Sequence, residues 1–146
     1  VAKYTNDDIR NWSEKRSCVG IGPSAFYPIR EQEISIDILQ LCDTCPVNEK
    51  CAEQAIATEE PSGYWGGLNM SERNRIMAAR RHLAANPNFE PEEPPCRNKI
   101  KVRGTGFKLH IDLGEVPCRA CRIVYREKQI AKRASIQKSL LAKMAN

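Results

Sequence analysis

The stretch Cys42-Asp43-Thr44-Cys45-Pro46-Val47-Asn48-Glu49-Lys50-Cys51 decides how this chain folds. It places three thiols within ten residues, two of them in a CxxC pair, and Cys18 lies upstream as a fourth. Thiols so spaced converge on one point when a metal ion or cluster holds them there. Thiolates are soft ligands that suit zinc and iron-sulfur clusters equally, and four cysteines serve either. The run lacks the second close pair of a four-cysteine zinc ribbon. A redox dithiol needs a strand before the CxxC and a helix after it, and only the helix is expected. Thiol chemistry alone therefore leaves zinc and a cluster open.

The whole composition agrees with small units stapled by metal. Hydrophobic residues make up 41% of the 146 but aromatics only 6%, which is thin for one continuous core. Seven cysteines leave one over from any full disulfide framework. No apolar run approaches the roughly 18 to 20 residues that span a bilayer, and no export segment opens the chain, so a cytoplasmic protein with no membrane partner is expected. Charge is divided unevenly. Residues 1–96 carry ten basic against fifteen acidic residues, whereas residues 97–146 carry thirteen against three. The C-terminal third thus reads as a polyanion-binding arm, with nucleic acid the first candidate and a solubilising tail the plainer alternative.

Working outward from the cysteines, Thr5 to Asp8 reads as a capping box opening a helix to about Lys15, with Ile9 and Trp12 on one face. Gly20 to Pro28 excludes a helix and carries the adjacent aromatics Phe26 and Tyr27. Ile34, Ile38 and Leu41 recur at helical spacing over Glu31 to Leu41, leading into Cys42. Pro46 suits the first turn of a third helix that carries Cys51. Gly63-Tyr64-Trp65-Gly66-Gly67 reads as a turn, and a fourth helix from about Ser71 to Ala85 shows Arg73, Arg75, Arg80 and Arg81 as a basic side. His82 reads as a solvated histidine. Residues 87–95, with four prolines and three acids, form an extended linker between 1–86 and 96–146. Beyond it Lys99 to Val102 alternates as a strand would, with Gly104 and Gly106 turning the chain into Phe107 to Ile111. A weakly amphipathic helix over Ile123 to Lys143 would lie on a partner or on nucleic acid.

The N-terminal region resembles the WhiB-like family of iron-sulfur transcription regulators. The resemblance rests on the isolated Cys18, Phe26-Tyr27-Pro28 eight residues later, Cys42-x2-Cys45-Pro46-Val47-x3-Cys51, and Gly63-Tyr64-Trp65-Gly66-Gly67 followed by Glu72-Arg73, in the family's order over about residues 5–83. It implies a mainly α protein, with a small four-helix domain folded around a 4Fe-4S cluster held by Cys18, Cys42, Cys45 and Cys51. It also implies docking on the C-terminal region of the primary sigma factor of RNA polymerase through Trp12, Phe26, Tyr27, Pro28, Trp65, Gly66 and Gly67. Oxidants or nitric oxide that strip the iron would loosen that face. Alanine before Phe26, Tyr27 in place of phenylalanine, and Tyr64 depart from the family's pattern without removing a ligand.

The second cysteine group, Cys96, His110, Cys118 and Cys121, is similar to small zinc-finger-like Cys/His segments, although Cys96 lies further upstream than their first cysteine. A structural zinc ion is expected there, in a basic module that ends in the C-terminal helix, the alternative being three unligated cysteines in a basic tail. Lys99, Lys101, Arg103, Lys108, Arg119, Arg122, Arg126, Lys132 and Arg133 are the candidate DNA-binding residues. A transcription regulator that binds sigma and contacts promoter DNA is expected, with no small-molecule substrate. The alternatives are a sigma-binding antagonist without its own DNA contact, and a protein disulfide reductase in the cluster-free form. No general base or nucleophile pair favours catalysis.

Overall fold

The computed structural model describes residues 11–30, 33–89 and 106–146. Among these, residues 11–13 are helical, and a 3-10 turn at Pro23–Phe26 precedes five further helices: α1 (Ile36–Thr44), α2 (Asn48–Ala57), α3 (Met70–Ala85), α4 (Gly106–Asp112) and α5 (Arg119–Met144). The described residues form no strand beyond an isolated bridge between Trp65 and Leu68, so the mainly α expectation is met. The capping box at Thr5 to Asp8, the segment 90–95 and the alternating stretch from Lys99 to Val102 lie outside the described residues.

Local chemistry sets the boundaries. The Ser35 side chain accepts from the Asp37 amide, so α1 opens at Ile36 instead of Glu31 and runs on through Cys42 to Thr44. Pro46 stands in the turn before α2. The amide of Asn48 returns to the carbonyl of Cys45, and the helix begins there. At α3 the Asn69 side chain accepts from the Glu72 amide at 2.8 Å while Glu72 accepts from the Asn69 amide at 2.9 Å, a reciprocal cap.

The segment beyond the turn expected at Gly104 and Gly106 is α4, which opens at Gly106 itself. Phe107 and Ile111 stand four residues apart, which puts them on one helical face, and both are buried. They complete a core of Ala52, Ile56, Leu68 and Ile76, to which Met77, Val116 and Tyr125 are added at the edge. The Phe107 and Tyr125 rings stack 4.0 Å apart and nearly parallel. Burying Phe107 and Ile111 stabilises the fold by about 1.5–3 kcal/mol each. The described part of 96–146 therefore packs directly on the helices of 1–86, α4 against α3 and α5 against α1.

Polar bolts fix this packing. Arg80 of α3 forks onto Glu53 of α2 at 2.7 and 3.0 Å and donates through Nε to the carbonyl of Gly114. Arg133 donates to the carbonyl of Ile34 at 2.9 Å. The C-terminal half of α5 leaves the body, with Ile136, Leu140, Leu141 and Met144 exposed.

Candidate metal centres

Cys18, Cys42, Cys45 and Cys51 wall one cavity of about 490 Å3, together with Trp12, Ile21, Phe26, Tyr27, Tyr64 and Trp65. Cys42 lies in the last turn of α1, Cys45 caps it, and Cys51 is one turn into α2. Cys18 arrives from a turn preceding the glycine-rich loop. None of the four is in a disulfide. The loop amide of Ser17 donates to Cys45 Sγ at 3.4 Å, and the Gly66 amide donates to Cys51. Such N–H donors stabilise thiolate ligands and tune the potential of what they hold.

Asn48 ties the cysteine turn to the tryptophan turn. Its Nδ2 donates to the carbonyl of Cys42 at 2.6 Å and to that of Gly66 at 2.8 Å. Gly66 is left-handed at φ 59°, and a Cβ there would lie 2.7 Å from the Asn48 carbonyl oxygen. On the other side of the turn, the buried Arg73 donates to the carbonyls of Glu60, Ser62, Gly63 and Leu68 at 2.7–3.1 Å. Arg73 is thus the internal post of the turn, not part of a basic helix side. The Tyr64 amide donates to the carbonyl of Phe26 at 2.8 Å, and the Tyr27 ring lies on Gly63, so two motifs far apart in sequence share one face.

In the metal-free chain, burial pushes the Cys42 thiol up to about 12, with Cys51, Asp43 and the other two thiols adding to it. Burial likewise raises Cys51 to about 11, against the lowering effect of the Gly66 amide. Mutually opposed thiols call for a cation. Four soft sulfur donors in one cavity wall fit an iron-sulfur cluster or zinc.

His110, Cys118 and Cys121 gather within 4.8 Å of one another. His110 Nδ1 meets Glu115 Oε2 at 2.8 Å, while its buried Nε2 has no hydrogen-bond partner. The Cys118 thiol is pulled down: burial raises it, but hydrogen bonds from Cys121 and the charge of the nearby His110 ring outweigh that. Cys96, expected as the fourth ligand, lies outside the described residues.

The remaining expectations divide. On the rim, Tyr27 is 44% exposed and Phe26, Pro28 and Trp65 are partly exposed. Trp12, expected on the docking face, is buried as cavity wall, and Gly66 and Gly67 are buried because the turn presses on α2 and Cys42. Of the basic residues, Lys108, Arg119 and Lys132 are exposed, and Lys99, Lys101 and Arg103 lie outside the described residues. Arg122 and Arg126 are corrected. Both are buried and bonded to Asp43, so neither offers its charge to phosphate. His82 is exposed, as expected.

Residues 12–76 match the family model described as "Transcription factor WhiB". The chain is 36% identical over 87 residues to the transcriptional regulator WhiD of Streptomyces coelicolor, covering 55% of this chain and 78% of that one. It is 33% identical to the transcriptional regulator WhiB of the same organism, over 50% of this chain and 83% of that one. It is 35% identical to the redox-responsive transcriptional regulator WhiB3 of Mycolicibacterium smegmatis, over 49% and 81% respectively. No solved structure matches.

Proposed function

The chain belongs to the WhiB family, and from that premise we propose that it is a cytoplasmic transcription regulator whose Cys18, Cys42, Cys45 and Cys51 hold a 4Fe-4S cluster. The observation that carries this reading is the cavity itself: four thiols in its wall, with a partly exposed aromatic rim. When bound, the cluster supplies sensitivity to oxidants and nitric oxide. The chain's residues supply the rest. Asn48 and the Gly66 amide link the ligand turn to Trp65, so a change at the ligands reaches the rim through two short hydrogen-bonded steps.

The rim formed by Phe26, Tyr27, Pro28 and Trp65 docks on the C-terminal region of the primary sigma factor, because aromatic groups gathered at one site make a binding hot spot. Lys108, Arg119 and Lys132, with the basic residues of 97–105, contact promoter DNA through phosphate. The protein's role is regulatory and not catalytic, because the thiols that disulfide chemistry would need serve as ligands. No helix among the described residues is long and apolar enough to cross a membrane. Burial of Arg122 and Arg126 favours one other reading, a sigma-binding antagonist with no DNA contact.

Titration of the cluster-loaded full chain with sigma separates these. Tyr27→Ala should weaken sigma binding by about tenfold or more. Duplex DNA affinity should fall steeply with added salt under the first reading. Sigma binding without measurable DNA binding selects the antagonist, and unchanged sigma binding in Tyr27→Ala rejects the rim.

A further inference from the structure

We propose that His110, Cys118 and Cys121 form a second, separate metal centre that takes a zinc ion and clamps the C-terminal helix onto the body. Three observations carry it. The three ligand atoms lie within 4.8 Å of one another, close enough for one ion to join them. His110 Nε2 is buried with no hydrogen-bond partner, a polar atom whose burial is costly unless something accepts its lone pair. Its other nitrogen is held by the Glu115 carboxylate at 2.8 Å, the carboxylate-histidine arrangement that fixes a ligating ring and directs Nε2 at the metal.

The surroundings are shaped for this cluster of atoms. Gly106 is buried against Cys121, and a Cβ there would come within 2.5 Å of the sulfur, so only glycine lets the start of α4 approach the thiol. The ligands join both sides of one hairpin. His110 sits on α4, Cys118 is the N-cap of α5 and Cys121 lies in its first turn. A seven-residue helix is marginal by itself, so the ion would contribute folding energy to the hairpin directly. One and two turns further along α5 come Arg122 and Arg126, which reach Asp43 beside Cys42. Clamping α5 therefore supports the end of α1 that carries the first centre's ligand.

The test is metal counting on the full chain, purified without oxygen and supplied with both iron and zinc. The expected result is about one zinc per chain in addition to the iron, with a mixed sulfur and nitrogen shell by zinc-edge X-ray absorption. Cys118→Ser/Cys121→Ser should lose zinc at least tenfold. His110→Cys, which keeps a ligand, should retain zinc with the nitrogen contribution lost from its shell and guard against misfolding as the explanation. Iron-loaded protein with no zinc, or zinc that survives the double serine variant, overturns the proposal. Zinc with no iron leaves this centre standing and rejects the cluster instead.

Discussion

Arg126 forks onto Asp43 across 83 positions of sequence, with Nε to Oδ2 at 2.7 Å and Nη2 to Oδ1 at 3.2 Å, and both side chains are buried. Arg122 adds two bonds to the Asp43 carbonyl and one to that of Pro117. Asp43 follows Cys42 directly, so the C-terminal helix is bolted to the cysteine turn itself.

Breaking this pair from one side leaves an uncompensated buried charge, which costs about 3–5 kcal/mol. Asp43→Ala should lower the unfolding midpoint sharply. Asp43→Leu/Arg126→Met, which removes both charges and keeps volume, should recover most of the loss. Chemical denaturation of the single and double variants checks this; a double variant as unstable as the sum of the singles would contradict it.

Gly66 and Gly20 are both left-handed glycines, at φ 59° and 86°, but only Gly66 has atoms in the way of a side chain. Gly20→Ala should cost about 1–2 kcal/mol from backbone conformation alone. Gly66→Ala should cost clearly more and should also lower iron retention, because Asn48 and Ala52 must move and they carry the ligand turn. Equal effects in the two variants, read by thermal unfolding and iron content, would show that the close approach is unimportant.

Arg73 satisfies four carbonyls at once, which a single ammonium group cannot do. Arg73→Lys should therefore destabilise by about 2 kcal/mol or more, since each carbonyl left buried without a donor costs about 1–3 kcal/mol. The Trp65 turn should loosen first. Tryptophan fluorescence under mild denaturant reports it, and a transition that leaves the turn intact would argue against this role.

The raised thiols give the metal-free chain a pH dependence. Cys42 and Cys51 titrate near 12 and 11 when folded, against 9.0 ordinarily, so above pH 9 the folded chain holds protons that the unfolded chain has released. Their contribution is fully present below pH 9 and is lost as pH rises through 11 and 12. The denaturant midpoint of chelator-treated protein should fall over that window, less so in Cys42→Ala. Metal capture, which must expel these protons, should tighten as pH rises through the neutral range.

The cysteines, the glycine-flanked tryptophan and the helices around them were legible because each has a local signature: a spacing, a cap, a turn residue. Arg73, Arg122 and Arg126 were not. In sequence a buried arginine looks the same as a solvated one, and only the carbonyls and carboxylate brought to it by the fold distinguish them. The helix at Phe107 to Ile111 was not legible for a related reason. Five residues suit strand or helix equally, and the decision fell to a core formed by Leu68 and Ile76, about 30 to 45 positions away. Glu115 carried a faint signal, five residues from a histidine and three before Cys118, but its bond to His110 depends on the turn at Gly114.

The central claim, that Cys18, Cys42, Cys45 and Cys51 hold one polynuclear cluster, is tested most directly by anaerobic purification with visible absorption and counts of iron and acid-labile sulfide. A brown protein with about four irons and about four sulfides per chain, lost on Cys42→Ser or Cys51→Ser, is the expected result. A colourless protein with no sulfide and a zinc ion bound by those four cysteines would contradict it.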